Sequence, residues 1–179
     1  FSSVMWDETS SQNNGIIRRY VHFPENTQDT IISGPHIGVG NPFYQSSKRD
    51  CSTHRAFDNV DLMEIPSQYI QRCNYTISCP IDEYERRVQE TPWGTKYHYE
   101  YKLISRTMLN ISGERTLMSA IIAQKISHIN GLFGLAFLNN KDLLTVSGCF
   151  HSLPFDYFVK ITGMSNFRQT TVYSMPRID

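Results

Sequence analysis

Between Tyr97 and Leu103 the side chains take turns: Tyr97, Tyr99, Tyr101 and Leu103 alternate with His98, Glu100 and Lys102, a period near two that predicts a strand. Arg106 falls at the end of that strand. Asn110 to Gly113 is a polar turn, and Leu117, Met118, Ala120, Ile121, Ile122 and Ala123 make an apolar run of strand length, the pattern of a buried strand entered through Glu114, Arg115 and Thr116. The two runs predict a β-hairpin with Arg106 and Arg115 at its mouth. A solvated turn with one surface ion pair gives the same pattern.

Elsewhere the pattern is shorter in range. Residues 1–15 are polar and turn-rich, which predicts a linker or loosely held entry. Ile16 to Phe23 alternates weakly and predicts a strand that places one of Arg18 and Arg19 on each face. Gly34 to Tyr44, rich in Gly and Pro, is a loop. Phe57 to Ile65 predicts a strand with Val60 and Leu62 inward, and Ile81 to Gln89 one or two helical turns that end before Thr91-Pro92-Trp93-Gly94. From Asn139 the period changes: Leu143, Leu144, Val146, Phe150, Leu153 and Phe158 predict a longer C-terminal helix, interrupted near Gly148 and Pro154 and ending around Thr162-Gly163. Phe167 to Met175 reads as extended. The expected class is α+β, a mixed curved β-sheet with short helices and a longer C-terminal helix.

A chain of 179 residues, 40% hydrophobic and 12% aromatic, suits one core, so residues 16–179 are expected to form a single domain. Phe1 is not preceded by a charged and apolar leader, which suggests a fragment of a larger polypeptide. No apolar run approaches membrane-spanning length, and the expected location is cytoplasmic. Seventeen basic against 17 acidic residues give a net charge of zero, so any face for nucleic acid has to come from local clustering. Cys51-x2-His54 with Cys73-x5-Cys79 offers four zinc-type ligands at a spacing wider than usual, against buried free thiols as the ordinary reading. Asn41-Pro42-Phe43-Tyr44 imitates the tetrapeptide with which adenine methyltransferases grip a flipped base. That role requires an upstream cofactor-binding strand, Gly-rich turn and helix, and the 40 residues before Asn41 contain none. Gly38-Val39-Gly40 alone is too short a signal for a cofactor loop.

The run Arg106 to Ala123, RTMLNISGERTLMSAIIA, with His128-Ile129-Asn130 after it, resembles a segment of the target-recognition regions of bacterial adenine-N6 DNA methyltransferases. These are the fused type II restriction-methylation enzymes and the related phage-defence methylases. Two departures stand out, Gly113 where the family usually has Asn and Gln124-Lys125 where it usually has a Pro pair. Ser33 to Tyr44 resembles the opening of such regions. Ser152 to Lys160, Asn166-Phe167 and Val172 to Pro176 resemble their closing helix and exit, so the likeness runs in order from about 33 to 176. The resemblance implies a fold like that of a type I specificity-subunit target-recognition domain. It also implies double-stranded DNA as partner, together with the catalytic methyltransferase domain of the same polypeptide. No cofactor is expected in this segment, and S-adenosyl-L-methionine is expected in the parent enzyme, with or without an endonuclease.

On that reading the DNA-binding candidates are Lys48, Arg49 and Arg55 on the early loop, Lys96, Arg106, Arg115, and Asn166 with Arg168 near the exit. Arg and Lys read guanine edges or position phosphates, and Asn reads adenine. Each has a surface ion pair as its plain alternative, and Arg115 equally suits a brace through Glu114 or a neighbouring acid. Nothing in the sequence assembles a nucleophile, base and acid, so no catalytic residue is assigned. A protein-interaction or scaffold domain is the rival reading, supported by the zero net charge and the aromatic content. A small enzyme built on Asn41 to Tyr44 is the third.

Overall fold

The computed structural model describes residues 1–53 and 56–176. The first fifteen residues are not a loose entry. A short strand β1 (Ser2–Ser3) precedes Trp6, which is buried in the core, and helix α1 (Glu8–Asn13) starts where the Asp7 side chain accepts the Ser10 N–H at 2.8 Å. A capped short helix and one large buried ring supply what the polar composition hides. Strand β2 (Ile17–His22) lies within the expected span. A two-residue strand β3 (Ile31–Ile32) leads into a single 3-10 turn, Gly34–His36.

Strands β4 (Gln45–Ser47) and β5 (Phe57–Asn59) pair across the early basic loop. β5 stops well short of Ile65, because the Asp61 side chain accepts the Met63 N–H and the Glu64 N–H returns to Asp61 in a tight turn. Leu62, expected inward, is consequently 49% exposed. Strand β6 (Cys73–Ile77) pairs antiparallel with β2, and helix α2 (Ile81–Arg87) follows as expected.

Tyr97 to Tyr99 is a 3-10 turn and not the first half of a strand: the Tyr99 and Glu100 N–H groups turn back to the carbonyls of Lys96 and Tyr97. Strand β7 (Lys102–Arg106) is the centre of the main sheet. It pairs antiparallel with β8 (Ser119–Ile122), so the hairpin forms with Arg106 at the end of its first strand. A short strand β9 (Ser127–His128) and then β10 (Leu132–Ala136) complete the sheets. The main sheet runs β1-β10-β7-β8, antiparallel throughout, and the parallel pairing sits apart in β3 with β9. Mixed direction is therefore shared out among several small sheets.

β7 is covered on both faces. Leu103 packs with Phe133, Phe150 and Phe167, while Ile104 packs with Ile32, Ile37 and Leu132. A third cluster gathers Trp6, Ile17, Tyr75, Tyr84 and Tyr97. The C-terminal helix is two: α3 (Asn140–His151), capped by the Asn139 side chain, and α4 (Leu153–Ile161). The break falls at Ser152, whose backbone is extended ahead of Pro154 in the first turn of α4, while Gly148 stays within α3. The segment expected as an extended exit contains a third short helix, α5 (Gln169–Ser174), anchored by buried Phe167 and Thr171. The chain is an α+β protein. Among the described residues no helix is long and apolar enough to cross a membrane.

Candidate functional site

Arg106 emerges from the end of β7 into a cleft of about 470 Å³, walled by β2 and β6 on one side and by Ser33 to Pro35 on another. Its guanidinium is fixed by backbone. Nε donates to the Ile37 carbonyl at 2.9 Å, and Nη2 donates to the carbonyls of Ile37 at 2.5 Å and Pro35 at 3.4 Å. The Tyr44 ring lies 5.4 Å from the guanidinium carbon. Burial pushes the Arg106 pKa down and Tyr44 offsets part of that shift, yet an arginine stays charged in proteins. Among the described residues no carboxylate comes within ion-pair distance of it, and Nη1 has no hydrogen-bond partner there. The cleft thus holds a rigid cation whose charge no carboxylate among the described residues neutralises.

A second arginine lines the same cleft in a different state. Arg19 Nη2 donates to Glu8 Oε1 at 2.8 Å and to the Tyr75 hydroxyl at 2.7 Å, and that hydroxyl donates to the same carboxylate oxygen at 2.5 Å. The Glu8 carboxylate pushes the Arg19 pKa up, and burial ahead of Glu8 does the same to the Tyr75 phenol. Arg19 also ties down the early loop, since its Nη1 donates to the Ser52 carbonyl at 3.0 Å. Nothing in the sequence links Arg19 to Glu8 and Tyr75, which come from three separate elements. Gln45 and Asn74 complete the polar lining.

The structure sorts the expected site residues into two groups. The loop that carries Lys48 and Arg49 borders the cleft through Thr53. Lys48 lies 3.5 Å from Asp58 with both side chains largely in solvent, whereas Arg49 is exposed and has no ion-pair partner among the described residues. Arg55, like His54, lies outside the described residues. Asn166 is not among the residues that line the cleft: its backbone bridges to Met108, which is, its side chain donates to the Ser165 hydroxyl at 3.1 Å, and the Phe167 N–H donates to the Thr107 carbonyl at 2.7 Å. Arg168 is exposed two residues farther on.

Lys96 and Arg115 do not line this cleft. Lys96 Nζ donates to the Val88 carbonyl at 3.1 Å and lies 3.3 Å from Glu90. Arg115 braces the helical layer: Nη2 donates to the His151 carbonyl at 3.0 Å and Nε lies 3.4 Å from the buried Asp156. The same Asp156 oxygen accepts the N–H groups of Thr116 and Leu117 at 2.9 and 2.7 Å. The two cations expected together at the hairpin mouth therefore serve different neighbours.

The Asn41 to Tyr44 tetrapeptide is committed to its own turn. The Asn41 side chain accepts the Phe43 N–H at 2.8 Å, the Gly38 N–H donates to the Asn41 carbonyl, and a Cβ on Gly38 would collide with the Tyr44 ring. All four cysteines are free, and burial pushes the Cys73 thiol up to about 12. Among the described residues no three His, Cys, Asp or Glu side chains gather as a metal-binding group. No protein-family model, curated protein or solved structure matches the chain.

Proposed function

We propose that this chain is a sequence-specific double-stranded DNA recognition module of a bacterial restriction-modification adenine-N6 methyltransferase. In this role its fold corresponds to a specificity-subunit target-recognition domain. It positions the target adenine for a catalytic domain outside this segment, which also carries the S-adenosyl-L-methionine, in the cytoplasm. The observation that supports this most is the guanidinium of Arg106, which no carboxylate among the described residues neutralises, in a cleft that the early basic loop reaches through Thr53. A fixed cation in a cleft also lined by the amide side chains of Gln45 and Asn74 suits contact with phosphates and base edges. Lys48, Arg49, Arg106, Asn166 and Arg168 form the DNA face on this reading, with Arg55 in the same loop, while Lys96 and Arg115 keep structural roles.

The test is retention of a random-sequence duplex pool at two salt concentrations, followed by sequencing. Retention that falls steeply with salt and enriches one short motif is expected. Arg49→Gln should lower the salt slope by about one, whereas Lys96→Gln should leave both slope and motif unchanged. Folded protein that retains no duplex at low salt, alone or within its parent polypeptide, would rule the reading out.

A protein-interaction domain is the second reading, and one surface favours it. Leu153, Tyr157 and Ile161 recur every four residues along α4 and are 70%, 65% and 60% exposed, a continuous apolar stripe of the kind that marks an interface. Association through that stripe is insensitive to salt, which separates it from DNA binding.

A further inference from the structure

A second open donor lines the cleft that holds Arg106. Asn74, on β6, is 5% exposed, and its Oδ1 accepts the Ser33 hydroxyl at 3.3 Å, while its Nδ2 has no hydrogen-bond partner among the described residues. Neither Asn74 Nδ2 nor Arg106 Nη1 is one of the sealed polar atoms that lack a partner, so both keep access to the cleft. The Ser33–Pro35 segment ties the two side chains to one wall, since Ser33 binds Asn74 and the Pro35 carbonyl holds Arg106 Nη2. An almost buried amide with a free donor is uncommon and points to an acceptor that arrives from outside. The charge in the cleft is equally defined. Glu8, Arg19 and Arg106 are the charged side chains that line it among the described residues, and Glu8 pairs with Arg19, which leaves one positive charge.

We propose that the cleft is a binding site for one monoanionic phosphate diester, with Arg106 Nη1 and Asn74 Nδ2 donating to its charged oxygens. The geometry of Arg106 selects against a base edge. A guanidinium offers two parallel forks, Nε with Nη2 and Nη1 with Nη2, and guanine is read through one such fork. Both forks need Nη2, whose hydrogens go to Ile37 and Pro35, so Nη1 is left to make single bonds. A planar carboxylate is likewise best met by a fork, whereas a tetrahedral phosphate spreads its oxygens toward separate donors. One uncompensated positive charge matches a diester, and a dianion would bring a second negative charge with no counterpart. Identifying the diester with the DNA backbone rests on the DNA-recognition reading, and in that case Arg106 and Asn74 position the duplex without reading its sequence.

Two probes differ only at the anionic oxygen: dithymidine joined by a phosphodiester, and the same molecule joined by a neutral methylphosphonate. Each is titrated into the whole chain and followed by ligand-observed NMR. Saturable binding of the phosphodiester is expected, with the methylphosphonate at least about tenfold weaker, the loss for a hydrogen bond to a charged group. Asn74→Asp keeps the acceptor for Ser33 and sets a carboxylate in the cleft with Arg106, so it should erase that preference while circular dichroism stays unchanged. In the duplex-pool assay, Asn74→Asp should weaken retention about tenfold with the enriched motif unaltered, because phosphates carry no sequence. The proposal is overturned if folded wild-type protein fails to saturate with the phosphodiester or binds both probes equally. It is also overturned if folded Asn74→Asp protein binds like wild type, or if its motif relaxes at one base position. Binding of the phosphodiester by protein that retains no duplex would uphold the site and refute its assignment to DNA.

Discussion

Two histidines make the protein sensitive to acid. His36 is fully buried, and its Nδ1 accepts the Ser33 N–H at 3.0 Å, so the neutral ring carries its proton on Nε2 and donates to the Arg72 carbonyl at 3.1 Å. A second proton would remove that acceptor. Burial, with the Arg106 charge adding to it, pushes the His36 pKa down to about 4, and burial pushes His128 down to about 3. Both rings are neutral in the fold and titrate near 6.5 when unfolded. Their contribution is fully present above that value and is lost as the pH falls toward 4 and then 3, by about 1.4 kcal/mol per pH unit for each ring. Urea midpoints at pH 7, 5.5 and 4.5 should therefore decline, and His36→Gln should flatten the decline. Parallel curves for the two proteins would contradict the assignment. Sequence alone gave no reason to separate these rings from the other four histidines, because burial is set by residues distant along the chain.

At the scale of elements, β2 and β8 form within the spans expected of them, while the strands expected over Phe57–Ile65 and from Tyr97 to Arg106 form only in part, as β5 and β7. The missed features depend on single long-range fits. Tyr97 looks like the start of a strand, but its side chain lies across β10 at Gly134, with its hydroxyl 3.0 Å from His128 Nε2. A Cβ on Gly134 would collide with that hydroxyl. Gly134→Ala should accordingly destabilise the protein by about 1–3 kcal/mol, as overpacking does. In combination with Tyr97→Phe the loss should be smaller than the sum of the two single losses. Additive losses in chemical denaturation would mean the two positions do not meet. Periodicity reports which face a residue occupies and carries no record of which glycine it will rest on.

Across the whole molecule, one carboxylate joins the helical layer to the sheet. Asp156 on α4 accepts two N–H groups ahead of β8 and faces Arg115. Removing it in Asp156→Ala leaves a half-buried cation and two donors unmet, so a loss of about 3 kcal/mol is expected in urea unfolding. A loss within 0.5 kcal/mol, the scale of surface substitutions, would show that the layers hold by apolar packing alone. The importance of Arg106 was legible from the sequence, but its surroundings were not: the carbonyls that hold it belong to Pro35 and Ile37, about 70 residues away. That distance has a consequence for recognition. The rotamer freedom of a free arginine, about 2 kcal/mol, is already lost at Arg106 when the chain folds, whereas exposed Arg49 gives up its share only on contact. Whatever meets Nη1 of Arg106 is met by a side chain that has no further ordering to undergo.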